Sequence, residues 1–103
     1  MESQVKIQGK DIVIYLDGEI DNLTAMRERK RCDAMIESNV QAARIMFNME
    51  KVDFADSALI AFLIGRYKKA HRLGIPVFIQ RPSYNADKLL ALSGIYTLIP
   101  KIK

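Results

Sequence analysis

The sequence predicts an α/β fold: a mixed sheet of about four or five strands, opened by an N-terminal antiparallel hairpin and packed against helices. Three patterns lead to that reading. Two β-like runs joined by a glycine turn begin the chain, and strand-like and helix-like runs alternate after them. The strongest helical run, near the middle, repeats its apolar residues at three- and four-residue intervals.

Val5-Lys6-Ile7-Gln8 alternates apolar and polar residues with period two, as a half-buried strand does. Gly9-Lys10-Asp11 supplies turn chemistry, and Ile12 to Leu16 forms a β-branched second strand, so the two pair as a hairpin. Gly18 marks a bend or bulge before Glu19-Ile20-Asp21. Thr24 suits an N-cap for a helix reaching about Ser38, with Cys32, Met35 and Ile36 as its apolar stripe. Ala43 to Met49 reads as a buried strand, followed by a Lys51–Ala55 connection. The long helix runs from about Ser57 to Leu73; Leu59, Ile60, Leu63, Ile64, Tyr67 and Ala70 form its apolar face, and Gly74 stops it. Ile75 to Ile79 is a strand whose Pro76 lies near its start, where a missing N–H is tolerated. Ser83 caps a last helix containing Leu89, Leu90 and Leu92 and ended by Gly94, and Tyr96–Ile99 is expected as a final short strand. Strand–helix–strand repeats imply right-handed crossovers and parallel pairing beyond the hairpin. One domain over residues 1–103 is expected.

Composition narrows the function classes. Hydrophobic residues make up 50% and charged residues 27% of the chain, as in a folded soluble protein. The longest apolar stretch, Ala58–Gly65, is far short of the ~20 residues a membrane span needs. The N-terminal residues show no secretory pattern, and the single cysteine, Cys32, excludes an internal disulfide and a multi-cysteine metal site. A cytoplasmic location is expected. The net charge is +4, with Arg27, Arg29, Lys30 and Arg31 in one run. That run reads as a solvated helix face, with a phosphate-binding surface as the alternative. No nucleic-acid motif accompanies it, and the basic balance also suits an acidic protein partner.

No catalytic constellation appears. The five glycines fall in no phosphate-loop spacing, and the one histidine, His71, sits at a helix C-terminus that explains it without catalysis. Cys32 reads as a core residue, or, if exposed beside Arg29 and Arg31, as a reactive thiol. Neither an enzyme nor a cofactor is expected. Two acidic spots are more informative. Asp21 follows a strand and belongs in a loop, while Asp56-Ser57 occupies the turn from a strand into the main helix. In a parallel α/β sheet both lie at the carboxyl edge, where ligands and partners engage. Asp56-Ser57 is explained by helix capping alone, yet a cap and a modification site are compatible.

Leu16-Asp17-Gly18-Glu19-Ile20-Asp21 followed by Thr24-Ala25 resembles the L-x-G-E-[IL]-D…(S/T)A signature of STAS domains, the family of bacterial anti-sigma factor antagonists. Phe54-x-Asp56-Ser57 resembles their (F/M)-x-D-S segment, and Leu92-Ser93-Gly94-Ile95 their (M/L)-(S/T)-G-L ending. Gly65-Arg66-Tyr67-Lys68 is similar to the G-R-Y-K run of the sporulation-type members. The four segments span essentially the whole chain in the family's order. The resemblance implies a STAS fold and a non-enzymatic antagonist that binds an anti-sigma factor which is also a serine kinase. That kinase phosphorylates the serine after the aspartate, here Ser57, and the antagonist lets go; a metal-dependent serine phosphatase resets it. The implied partner contacts are Asp21, Asp56, Ser57 and Ala58, with Asn48 where the family often has Asn or Asp at a strand end. A monomer without a metal, a membrane span or direct nucleic-acid binding is implied.

The family usually continues D-S-(S/T)-G-L, whereas here Asp56-Ser57 is followed by Ala58-Leu59-Ile60. Leu59 in the glycine's place is expected to put a Cβ where a partner's backbone approaches closely. Leu59-Ile60-Ala61 leans toward STAS proteins of stress-signalling assemblies. The alternative function is therefore a non-phosphorylated scaffold or interaction module in a stress-signalling or transport-associated assembly.

Overall fold

The computed structural model describes residues 2–19 and 22–102. Their elements follow in the order β1 (Glu2–Gln8), β2 (Asp11–Gly18), α1 (Asn22–Glu37), β3 (Arg44–Val52), α2 (Ser57–Arg72), β4 (Val77–Gln80), α3 (Tyr84–Ser93), a 3₁₀ turn (Ile95–Thr97) and β5 (Lys101–Ile102). The strands form one five-stranded sheet in sequential order, β1-β2-β3-β4-β5. Only β1 and β2 are antiparallel, from Glu2↔Asp17 to Gln8↔Asp11; the later pairs are parallel. The mixed sheet and its hairpin are as the alternation in the sequence predicts.

Each crossover steps to the next strand in the same direction, so right-handed connections place the helices on one face of the sheet. Burial agrees. Ile12, Ile14 and Leu16 of β2, Ile45, Phe47 and Met49 of β3, and Val77 and Ile79 of β4 join one core cluster. Cys32 and Ile36 of α1, Leu59, Phe62 and Leu63 of α2, and Ala86 and Leu90 of α3 complete it. Val13 and Met46 lie on the opposite face, outside this cluster, yet both are buried. Neighbouring polar side chains cover them: Lys6 lies 5.3 Å over the Tyr15 ring, and Gln80 Nε2 approaches Met46 Sδ at 3.8 Å. Among the described residues no helix is long and apolar enough to cross a membrane.

The structure corrects several local expectations; β4 begins at Val77 rather than Ile75 and reaches Gln80. Thr24 is not an N-cap: α1 is already helical at Asn22, so Thr24 stands in its first turn. Strand β3 continues past Met49 to Val52, which shortens the connection to α2. The final strand is not Tyr96–Ile99. Gly94 (φ 77°) ends α3, the Ser93 hydroxyl accepts the Ile95 N–H, and both Leu98 N–H and Ile99 N–H return to the Ile95 carbonyl. Ile95 and Ile99 thus enter the core at helical spacing. Strand pairing begins only beyond them, at Lys101 and Ile102.

That last strand is tied to α3 by a polar cluster. The Tyr96 hydroxyl donates to Asp87 Oδ1 at 2.5 Å, and Lys101 Nζ donates to the same oxygen at 3.1 Å. These hydrogen bonds, Tyr96 first, hold the Asp87 carboxyl below its ordinary pKa. A depressed folded-state pKa stabilises fully above the unfolded value of ~3.9 and is lost as pH falls through the lower folded value. Asp87→Asn is therefore expected to cost about 1 kcal/mol at neutral pH. Urea unfolding from pH 7 down to about pH 2 should show the two proteins converging at the acid end.

Candidate partner-binding site

The site is built where β3 runs out. Between the pairs Tyr15↔Asn48 and Asp17↔Lys51, β3 carries one residue more than β2, so a bulge precedes the strand's end. Asn48 Oδ1 accepts the Glu50 N–H at 3.2 Å, and Asn48 Nδ2 donates to Gln80 Oε1 at 3.0 Å. Beyond the bulge the chain is held on several sides. Asp53 N–H donates to the Gly18 carbonyl, Ser83 Oγ to the Val52 carbonyl at 2.7 Å, and Asn85 Nδ2 to the Asp53 carbonyl at 2.9 Å. Ser83 also caps α3 by accepting the Ala86 N–H. The loop leading into α2 is thus fixed before the helix starts.

Asp56 is extended (φ −134°, ψ −162°) and its Oδ1 accepts the Ala58 N–H at 2.8 Å, a side-chain N-cap as its position in the sequence suggests. Ser57 is the first residue of α2 and is exposed. No acidic side chain occupies that first turn. The helix start therefore presents a hydroxyl together with the positive end of the helix dipole. A phosphate on Ser57 would add about −1.5 to −2 charges, compatible with that dipole and opposed mainly by the neighbouring Asp56.

The remaining expected residues distribute unevenly. Ala58 is nearly buried and borders an open groove between α1 and α2. Leu59, expected to obstruct close approach, is wholly buried in the core, so its side chain leaves the exposed face of α2 clear. Asn48 is buried in the sheet, on the face opposite the helices, with its amide committed to Gln80 and Glu50. Asp21 lies outside the described residues. Arg27, Arg29, Lys30 and Arg31 are exposed along α1, as a solvated face should be. Arg31 also donates to the Ser3 carbonyl at 2.7 Å, and the Ser3 hydroxyl donates to the buried Glu28 at 2.7 Å. Cys32 is buried, and burial raises its thiol pKa, which leaves the packing reading and removes the reactive one. His71 is exposed and stacks on Tyr67 at 5.5 Å.

Local sequence reading passes over two features. Ser83 and Asn85 hold the loop before Ser57 from about thirty residues away, a pairing that no local pattern encodes. Phe54, two residues before Asp56, is 56% exposed and borders a shallow cleft with Leu89 and Leu92. An exposed aromatic beside other apolar side chains is a feature of interaction surfaces. Among the described residues no group of three or more His, Cys, Asp or Glu side chains is placed to hold a metal.

A sequentially ordered mixed sheet, opened by a hairpin and covered by helices on one face, is the architecture expected of a STAS domain. The STAS domain family model matches residues 2–103, and the chain belongs to that family. The anti-sigma F factor antagonist of Paenibacillus polymyxa is 26% identical over 89 residues, covering 86% of this chain and 75% of that protein. The solved structure of the anti-sigma factor antagonist SpoIIAA in its unphosphorylated form has a TM-score of 0.82 at 21% identity, over 99% of this chain and 89% of that one. The Bacillus cell fate determinant SpoIIAA in its phosphorylated form gives 0.73 at 21% identity, over 99% and 92%. At these identities the structural likeness establishes the shared fold.

Removing the cap should be felt, and removing the hydroxyl should not. Asp56→Ala is expected to lower stability by about 1 kcal/mol. Ser57→Ala, at an exposed helix position, should stay within about 0.5 kcal/mol of the parent. Denaturant unfolding of the two variants checks both values.

Proposed function

We propose that this chain is an anti-sigma factor antagonist, a binding protein switched by phosphorylation of Ser57. The observation that carries this reading is the placement of Ser57: exposed, first in α2, and directly after the capping Asp56. The relative from Paenibacillus polymyxa named as an anti-sigma F factor antagonist supports it, as do the phosphorylated and unphosphorylated forms in which SpoIIAA has been solved. In this reading the unmodified chain binds an anti-sigma factor that is also a serine kinase. The kinase transfers a phosphoryl group to the Ser57 hydroxyl, and a serine phosphatase removes it. The protein acts as a cytoplasmic monomer and performs no catalysis itself.

The release step follows from local charge. The added phosphate suits the helix N-terminus, so the fold persists. The same charge opposes any acidic group a partner brings against this edge, and like charges juxtaposed across an interface cost several kcal/mol. Asp56 and Ala58 flank the serine, and Asp21, outside the described residues, is the further partner contact in this proposal. Asn48 supports it from beneath by fixing the bulge that aims the loop.

Titration against the cognate kinase tests the switch. Ser57→Asp is expected to weaken binding at least tenfold, about 1.4 kcal/mol, while Ser57→Ala binds as the parent does and is not released by ATP. Equal affinity of Ser57→Asp and the parent would remove Ser57 from the mechanism. Incubation with kinase and ATP followed by mass spectrometry separates the scaffold alternative: absence of phosphoserine would favour it.

A further inference from the structure

Helices α1 and α2 face each other through two stripes at four-residue spacing. Ala25, Arg29 and Asp33 lie on α1; Ala58, Phe62 and Arg66 lie on α2. Small side chains at the Ser57 end of both stripes leave an open groove, lined in part by Ala58, Met26, Phe62 and the two arginines. Phe62 is buried at its floor and packs edge-on against Phe47, with ring centroids 6.2 Å apart. Arg66 is only 4% exposed, and its guanidinium lies 5.2 Å from the Phe62 ring centroid.

The charge in this groove is unbalanced. Arg66 Nε donates to Asp33 Oδ1 at 2.6 Å, but Arg66 Nη1 is buried and has no acceptor among the described residues. A buried donor left unmet is costly, more so when it is charged. Arg29 lines the same groove and forms no ion pair among the described residues. Among the described residues Asp33 therefore pairs with Arg66 alone, and Arg29 has no carboxylate of its own. Planar guanidinium is also the side chain best matched to a carboxylate's two oxygens.

We infer that the α1–α2 groove receives an aspartate or glutamate side chain of the partner protein, which supplies the acceptor that Arg66 and Arg29 lack. A protein segment, rather than a small free anion, is the occupant because apolar side chains line the groove beside the arginines: Ala25, Ala58, Ala61, Phe62 and Met26, the last 57% exposed. The inference rests on the reading that a partner docks at the start of α2. It also gives the phosphate a target. Ala58 and Ala61 border the groove, and Ser57 is adjacent to the first and one helical turn, ~6 Å, from the second. A phosphorylated Ser57 would then face the partner's docked carboxylate within a Debye length.

Titration of the full chain against its purified kinase partner at two salt concentrations tests this, with thermal melts confirming that each variant folds. Arg29→Gln should weaken binding about tenfold and flatten the salt dependence. Ala61→Glu, which places a carboxylate of the chain's own in the groove, should weaken it further. Lys30→Gln, on the same helix but outside the groove, should bind as the parent does. If Arg29→Gln and Ala61→Glu bind normally while Ser57→Asp does not, the groove is empty in the complex and the phosphoswitch alone stands. If Arg29→Gln and Lys30→Gln weaken binding equally, only diffuse basic charge is at work and the groove inference fails. If the parent itself does not bind the kinase, the antagonist reading falls and takes this inference with it.

Discussion

Between its pairs with Tyr15 and Asp17, strand β3 has one residue too many for β2, and the carboxyl edge of the molecule depends on how that excess is absorbed. Asn48 closes the bulge through the Glu50 N–H, and the Met49 carbonyl accepts the Ser83 N–H at 2.9 Å. Sheet hydrogen bonding is thereby passed sideways to the segment joining β4 and α3. Ser83 and Asn85 then hold the Val52 and Asp53 carbonyls, and the chain reaches Asp56 on a fixed path. The exposed serine is preorganised by groups that never touch it.

The rest of the fold keeps that edge accessible. All three helices bury their apolar stripes on one face, so the helix N-termini gather along a single rim with the strand ends. The opposite face is closed by side chains instead of a layer: Tyr15 with Lys6, and Gln80 reaching both Asn48 and Met46. The switch proposed above would need no movement of this framework. One added charge on Ser57 would change what can approach, while the core formed around Phe47, Leu59 and Leu63 lies away from it.

Much of this is legible in sequence because it is local. The alternation before Gly9, the three- and four-residue periodicity after Ser57, and the capping chemistry of Asp56 and Ser83 each act within one or two turns of chain. What reading along the chain misses is what distance decides. Nothing beside Arg66 in the sequence marks it as buried; its partner Asp33 lies thirty-three residues earlier, across the helix pair. Leu59 appears to crowd the partner face until the helix is placed on the sheet and the side chain turns inward. Tyr96 to Ile99 has the composition of a strand, but the core takes Ile95 and Ile99 at a helical interval and moves the pairing segment past Pro100.

The short β5 has a meaning for how copies of the molecule can meet. Its paired length is two residues, it follows directly on Pro100, and Lys101 is engaged with Asp87. Proline at the start of an edge strand withholds one N–H from an incoming strand. At the other margin, β1 places Lys6 among alternating polar residues, a charge that discourages a second chain from extending the sheet. Charged or proline-bearing edge strands of this kind disfavour growth by strand addition.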